Sequence, residues 1–334
     1  MSRRTSSSKA VLVLLFASGL FLPTAHGQKV GTSSMQLLSV APDARSMGIG
    51  TAYSAIAEGA HALYWNPAGL TRTAGHSLVI DRVDWFLDAA HYGVAYGASL
   101  GSWGHAGVHF YMADMGDFQE TRVDHLGFVD QGGTQVYNPG LTGTTFSLRS
   151  WVLGVSYARA FTDRFSAGLT AKMAQENLWL SEANAFLFDF GMTYITGFRS
   201  LRLGASVMNF GAPVVFEEDS YPVPLRFRLG GAVDVIGSGG LISFHDANRL
   251  TATFDLIQPN DYDQQWAAGL EYAFLQRIHV RGGYQHNYDI ASYSFGLGIR
   301  QPIASVGLGF DYSYSSMSEA FGVVHRLGFS LSLD

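Results

Sequence analysis

The sequence predicts an all-β protein: a transmembrane antiparallel β-barrel of about fourteen strands, with a short, partly helical N-terminal hatch. Three observations predict it. From residue 74 onward the chain repeats period-two alternation, with turn signals between segments. After the first 27 residues no stretch reaches the 18 apolar residues of a spanning helix, so only a closed barrel can satisfy every backbone N–H and C=O in lipid. The composition of the 334 residues, 13% aromatic and 14% charged with 39 glycines, suits a surface that is partly out of water.

Residues 1–27 read as a secretory signal peptide. Arg3, Arg4 and Lys9 form a positive start, Ala10 to Leu22 is a short apolar core, and Ala25-His26-Gly27 offers small residues for cleavage after Gly27. Residues 28–73 read as the hatch. Ser34 to Val40 suits a turn or two of helix that Pro42 stops, and Asp43 suits a cap for another brief helix. Gly48 to Ala57 fits either a close-packed hatch segment or a wall strand; it is assigned to the hatch with the strand left open. Trp65-Asn66-Pro67-Ala68-Gly69-Leu70 ends the segment. Pro67 pushes Asn66 out of the helical region, Asn66 can bond its own backbone two residues on, and Gly69 releases the chain.

Residues 74–334 read as the barrel wall. Val306, Leu308, Phe310, Tyr312 and Tyr314 fall on one face, with Gly307, Gly309, Asp311 and Ser313 on the other. Leu327, Phe329, Leu331 and Leu333 repeat the pattern against Arg326, Gly328, Ser330 and Ser332. Short connections such as Thr162-Asp163-Arg164 and Leu275-Gln276-Arg277 alternate with long ones at Asp117 to Thr144, Gly211 to Val223 and Ser315 to Gly322. Short turns on the inner side and long outer loops are the barrel signature. Gly237 to Asn248 departs from it, being long on the inner side.

The greasy face is outward, which turns Arg202, Arg226, Arg228, Arg281, Arg300 and Arg326 inward with Asp189, Asp234, Asp255, Glu271 and Asp311. Both signs share one interior, an arrangement of cross-strand ion pairs and hatch contacts rather than a single-sign ion filter. Tyr92, Tyr96, Tyr312 and Tyr314 sit near strand ends as interfacial anchors.

Signs of chemistry are thin, and no enzyme activity is expected. Net charge is −6 with no basic cluster beyond the leader, which argues against nucleic acid as a partner. Zero cysteines exclude disulfides and thiolate chemistry. His105 and His109 would stand about 13 Å apart on a strand, too far to hold one ion. Asp261-Tyr262-Asp263 and Glu217-Glu218-Asp219 lack the spacing of a calcium loop. No metal or cofactor is expected.

Met47-Gly48, Ala57-Glu58, the Ala62 to Leu70 run, Ser156-Tyr157-Ala158-Arg159, Asn209-Phe210-Gly211, Leu225-Arg226 and Glu271-Tyr272 carry a resemblance to a known family. From about residue 33 onward, they resemble the PorV/PorQ family of the wider FadL-like barrel group. The resemblance implies the outer membrane of a Gram-negative bacterium. It further implies a role in type IX secretion, with a translocon barrel and exported proteins or their C-terminal signal domains as partners. The candidate partner-binding residues are Phe118, Phe128, Tyr137, Phe216 and Glu217, on the two longest outer loops, where exposed apolar groups suggest a docking surface. The alternative is FadL-like uptake of a hydrophobic small molecule, with the hatch around Trp65, Asn66, Pro67, Ala68 and Gly69 shifting to open a lateral route. Outer-membrane lipids surround the wall in either case.

Overall fold

The computed structural model describes residues 32–216, 218–245, 247–288, 292–317 and 322–333. The expected signal peptide and Glu217 lie outside them.

Alternation places the wall strands. They are β1 (His76–Asp84), β2 (Ala90–Ser99), β3 (His105–Gln131), β4 (Thr134–Ala160), β5 (Phe165–Asn177), β6 (Glu182–Ile195) and β7 (Arg202–Gly211). A small outer hairpin follows, β8 (Val214–Phe216) and β9 (Asp219–Tyr221). The wall resumes with β10 (Arg226–Gly237), carries β11 (Ser243–Phe244) as a two-residue parallel spur, and continues with β12 (Arg249–Pro259) and β13 (Gln265–Phe274). It ends with β14 (Ile278–His286), β15 (Tyr293–Ile303), β16 (Val306–Ser316) and β17 (Val323–Leu333). Each wall strand pairs antiparallel with the next, β7 pairs with β10 and β10 with β12, and β17 returns to β1 from His76↔Leu333 to Asp84↔His325. Of the fifteen strands in this sheet one is the spur, so the closed barrel has fourteen.

Closure leaves no lateral edge to protect. The outward positions form an apolar belt, with Val94, Phe110, Leu153, Phe188, Leu229 and Phe295 exposed. Such a surface is stable only in lipid, and the chain is an outer-membrane barrel. Connections such as Ala304-Ser305 mark the inner end, and the long connections mark the outer end.

One segment departs from expectation. Asp117 to Thr144 is not a loop but the continuation of β3 and β4, which pair from His105↔Ala158 to Gln131↔Thr134 across three irregularities. Beyond the last partners on β2 and β5, Asp114 and Arg149, the two strands stand alone and project about 50 Å past the rim. Alternation hid this because both faces there meet water, and nothing selects apolar residues at every second position. Gly132 and Gly133, at φ 67° and 87°, supply the tight reversal, and Gly133 N–H donates to Asp130 Oδ1 at 2.6 Å.

Inside the barrel runs the N-terminal segment. It contains the five-residue helix α1 (Ala44–Gly48) and three 3-10 turns, at Gln36–Ser39, Gly59–Tyr64 and Pro67–Arg72. Asp43 caps α1, accepting from Ser46 N–H at 2.8 Å. Residues 48–57 lie here as the end of α1 and the turns after it, not as a wall strand, with Ile49, Tyr53 and Ile56 buried. The segment's Ile49, Leu63 and Leu70 are wholly buried, and each stabilises by about 1.5–3 kcal/mol.

Candidate functional site

Small residues let the hatch touch the wall backbone. A Cβ on Gly283 would lie 2.0 Å from Gly50 N, and one on Gly204 would lie 2.3 Å from Ser54 O. No side chain fits between, so these inward glycines fix how close the hatch sits and close the bore.

The Trp65 to Gly69 run is the middle of this seal. Trp65 Nε1–H donates to Asp43 Oδ2 at 2.7 Å, and the Arg228 guanidinium lies 4.6 Å over its ring. Asn66 is fully buried. Its Oδ1 accepts from Ala68 N–H at 3.2 Å, and its Nδ2 donates to Ser54 O at 2.9 Å and to Met192 O on β6 at 3.0 Å. Pro67 opens the last 3-10 turn, and Ala68 is buried beside it. Gly69 passes so close to Ala57 O that a Cβ there would lie 2.1 Å away.

Charge holds the hatch on the opposite side. Arg45 grips Glu271 with two bonds of 3.1 Å and meets Glu58 at 2.5 Å. Arg281 Nε–H donates to Glu271 at 2.6 Å and its Nη1–H to Asp311 at 2.7 Å, and Arg300 meets Asp311 at 2.5 Å. Three cations and three anions thus alternate from hatch to β13, β14, β15 and β16. Nearby, Arg228 bonds Asp255 and Thr51 O, while Asp255 accepts from Ser54 N–H at 3.1 Å. Of the inward charges foreseen from alternation, Arg226, Arg228, Asp255, Glu271 and Arg326 bond the hatch directly, whereas Arg202 with Asp234 is a cross-strand pair of the wall.

Anchoring is uneven. Toward β1 to β4, His61 stands 3.5 Å from Asp81, and Tyr64 OH has no hydrogen-bond partner among the described residues. On this side lies a cavity of about 50 Å³, lined by hatch residues Leu37, Leu38, Val40 and Leu63 and by His109, Lys172, Met208 and Asn209 of the wall.

Met208 and Asn209 belong to a wall irregularity. Phe188 pairs with Phe210 and Phe190 with Val207, so two residues of β7 oppose Asp189 alone. Asn209 takes φ 61°, its N–H donates to Asp189 Oδ1 at 2.7 Å, and its Nδ2 donates to Pro224 O at 3.0 Å. Lys172 Nζ lies 2.7 Å from Asp189 and 2.5 Å from Asn209 Oδ1. Immediately outside, an apolar groove of about 390 Å³ runs between Phe190 and Met192 of β6, Ala205 and Val207 of β7, and Phe227 and Leu229 of β10. The cavity thus reaches the bulge at Met208 and Asn209, and the groove borders it at Phe190 and Val207.

The expected partner-binding residues do not form one patch. Phe118 stacks on Phe146 at 5.7 Å, and Phe146 stacks on Trp179 at 4.4 Å, at the root of the projecting hairpin. Phe128 and Tyr137 pair across its distal end at 5.6 Å and are exposed. Phe216 lies on the separate β8–β9 hairpin, against Tyr221 at 6.2 Å. His105 Nε2 meets Thr73 O at 3.1 Å, and Asp261 bonds the Ser33 hydroxyl. The sequence reading missed the bulge, the cavity and the groove. The signal was present in Asn209-Phe210-Gly211, where a turn-type residue interrupts a strand.

No protein-family model matches the chain, and no curated protein matches it. Solved structures do. The Pseudomonas putida toluene transporter TodX aligns with TM-score 0.56 at 12% identity, over 86% of this chain and 97% of that one. The Ralstonia pickettii toluene transporter TbuX aligns with TM-score 0.54 at 13% identity, over 87% and 98%. A Pseudomonas aeruginosa FadL homologue gives 0.50 at 10% identity, over 87% and 97%. At such identities the likeness is one of fold. It matches the FadL-like group, and nothing in it singles out the PorV/PorQ branch.

Proposed function

We propose that this FadL-like barrel is a passive outer-membrane channel for hydrophobic small molecules, which leave sideways through the wall. The observation that carries the reading is the β6–β7 bulge, with an interior cavity on one side and an apolar groove on the other. The hatch closes the axial path by direct backbone contact, and an apolar solute gains nothing from an aqueous exit. Passage needs only local movement at a place where the ladder is already interrupted. The toluene transporters and the FadL homologue of like fold support the same reading.

Filling the groove tests it. Ala205→Trp puts an indole among Phe190, Met192 and Leu229 on the lipid face, where the barrel fold tolerates it. Toluene uptake into cells carrying the variant is expected to fall about tenfold, with the folded barrel present in normal amount, since one blocked path removes most of a passive flux. Uptake equal to the wild type would refute a lateral exit at β6–β7.

A second reading has one observation in its favour. The projecting hairpin exposes Phe128, Tyr137, Val123 and Val129 far outside the membrane, where lipid cannot cover them. Under the PorV/PorQ resemblance this surface would bind exported proteins or their signal domains beside a translocon barrel; the comparisons lend that no weight. Replacing residues 118–145 by a short turn is expected to leave toluene uptake intact. If secretion is the function, export of signal-domain proteins stops instead.

A further inference from the structure

The charges that face water are divided between the two ends of the barrel. Among the described residues, the exposed arginine, lysine and carboxylate side chains of the inner end are Arg159, Arg164, Arg199 and Arg277, against Asp163 alone. The outer end is acidic, with Asp117, Asp124, Asp130, Glu182, Asp219 and Asp263 exposed. Three of the inner cations share one stretch of rim. Arg159 ends the outward face of β4, Arg164 lies in the β4–β5 turn and Arg199 in the β6–β7 turn. Ile195 N–H donates to Arg164 O at 2.8 Å and ties the two turns together, and a Cβ on Gly197 would lie 2.9 Å from Arg164 Nη1. Strands about 4.8 Å apart set the three residues along about 15 Å of rim. Asp163 is a weak counter-ion, 3.8 Å from Arg164 with its side chain 85% exposed. The same stretch carries apolar groups. Phe161 and Phe198, in these turns, are each 64% exposed, and beyond them the outward Tyr157, Tyr194 and Leu203 continue the lipid-covered belt. The Arg199 guanidinium rests 5.1 Å over the Phe244 ring of β11, so the long inner connection that departs from the barrel pattern supplies a platform for a cation.

We infer that this stretch of the inner rim binds an anionic phospholipid of the inner leaflet, of the phosphatidylglycerol type. Its phosphate meets Arg159, Arg164 and Arg199, and its acyl chains lie against Tyr157, Tyr194 and Leu203. Two observations choose that occupant over a water-soluble partner. The patch is continuous with a surface that lipid already covers, and rings at headgroup level bury there what water would leave exposed. Its cations are planar forks matched to phosphate oxygens, and a phospholipid presents a phosphate at this depth. A choline or ethanolamine head carries its own cation, which repels the arginines, so the net anionic head is preferred. The inference stands apart from the channel reading, since it asks nothing of the hatch or the groove.

The test titrates the detergent-purified, lipid-stripped full chain with phosphatidylglycerol or phosphatidylcholine of equal chain length and counts bound lipid by native mass spectrometry. Phosphatidylglycerol is expected to bind about tenfold tighter, less than three full surface charges would give because the site is open to salt. Arg159→Gln with Arg164→Gln and Arg199→Gln is expected to abolish the preference. Arg82→Gln with Arg122→Gln and Arg149→Gln removes as many cations from the outer end and is expected to leave it intact. A heat-modifiable band of wild-type intensity establishes that both variants are folded. If the inner triple variant does not assemble, Arg199→Gln alone, in an exposed turn, is expected to lower the preference about threefold. Equal binding of the two lipids, a preference that survives the inner substitutions, or one lost equally in the outer variant overturns the inference.

Discussion

Glu271→Gln is expected to cost about 3–5 kcal/mol and to free the hatch, because it leaves buried guanidinium groups without their shared anion. Glu271 lies between Arg45 of the hatch and Arg281 of β14, and both are almost wholly buried. The amide can still accept a bond, but the cluster of three cations then faces two anions in a place water does not reach. The strain is relieved most simply by withdrawing Arg45, whose contacts to the wall are side-chain contacts, whereas Arg281 is fixed within a strand. The folded band should convert at lower temperature, and liposomes carrying the variant should swell in small sugars that the wild type excludes. Adding Arg45→Met removes one cation and should restore part of the loss, so the two changes should be less than additive. Wild-type conversion temperature in Glu271→Gln would show that this network does not hold the hatch.

Asn66→Ala with Pro67→Ala is the second large effect, expected at about 2–4 kcal/mol from a lost cap and two carbonyls left unpaired. Asn66 caps the final 3-10 turn and also bridges Ser54 O in the hatch to Met192 O in the wall. Alanine at 66 keeps none of the three bonds. Pro67 adds less, since its ring serves mainly to fill space against Gly191. The readouts are detergent stability and permeability to small solutes, and loss of stability should come with leakage. Stability lost without leakage would mean that this turn supports the wall and does not seal it.

Much of the barrel was legible because lipid imposes one rule on every residue. Phe310 out and Asp311 in, or Phe329 out and Gly328 in, follow from alternation alone, and the inward ions follow with them. Asp43 and Asn66 were legible as caps because their chemistry is local. The rest depends on what lies across the lumen. Gly283 reads as a small inward residue, and only the structure shows Gly50 pressed against it. Arg45 has no periodic context that would name Glu271, 226 residues away, as its partner. The hairpin escaped for the opposite reason, since beyond the rim no medium dictates a pattern. The β7 bulge escaped because one extra residue looks like an ordinary change of phase.

The course of the hatch also dictates an order of events. Its start is tied to the outer rim, with Ser34 N–H on Pro222 O and Met35 N–H on Glu176. Its end delivers the chain to His76 at the opposite mouth, where β1 begins. Threading a finished cylinder would drag Arg45, Glu58 and Trp65 along wall backbone that leaves no room for a methyl group beside the seated hatch. The filling therefore goes in first, and the sheet curls round it. Every other neighbour in the sheet is local in sequence, but the β1–β17 seam joins the two ends of the wall and zips last. A chain caught before that step is an open sheet wrapped on its own core, and the time it spends there is set by one seam.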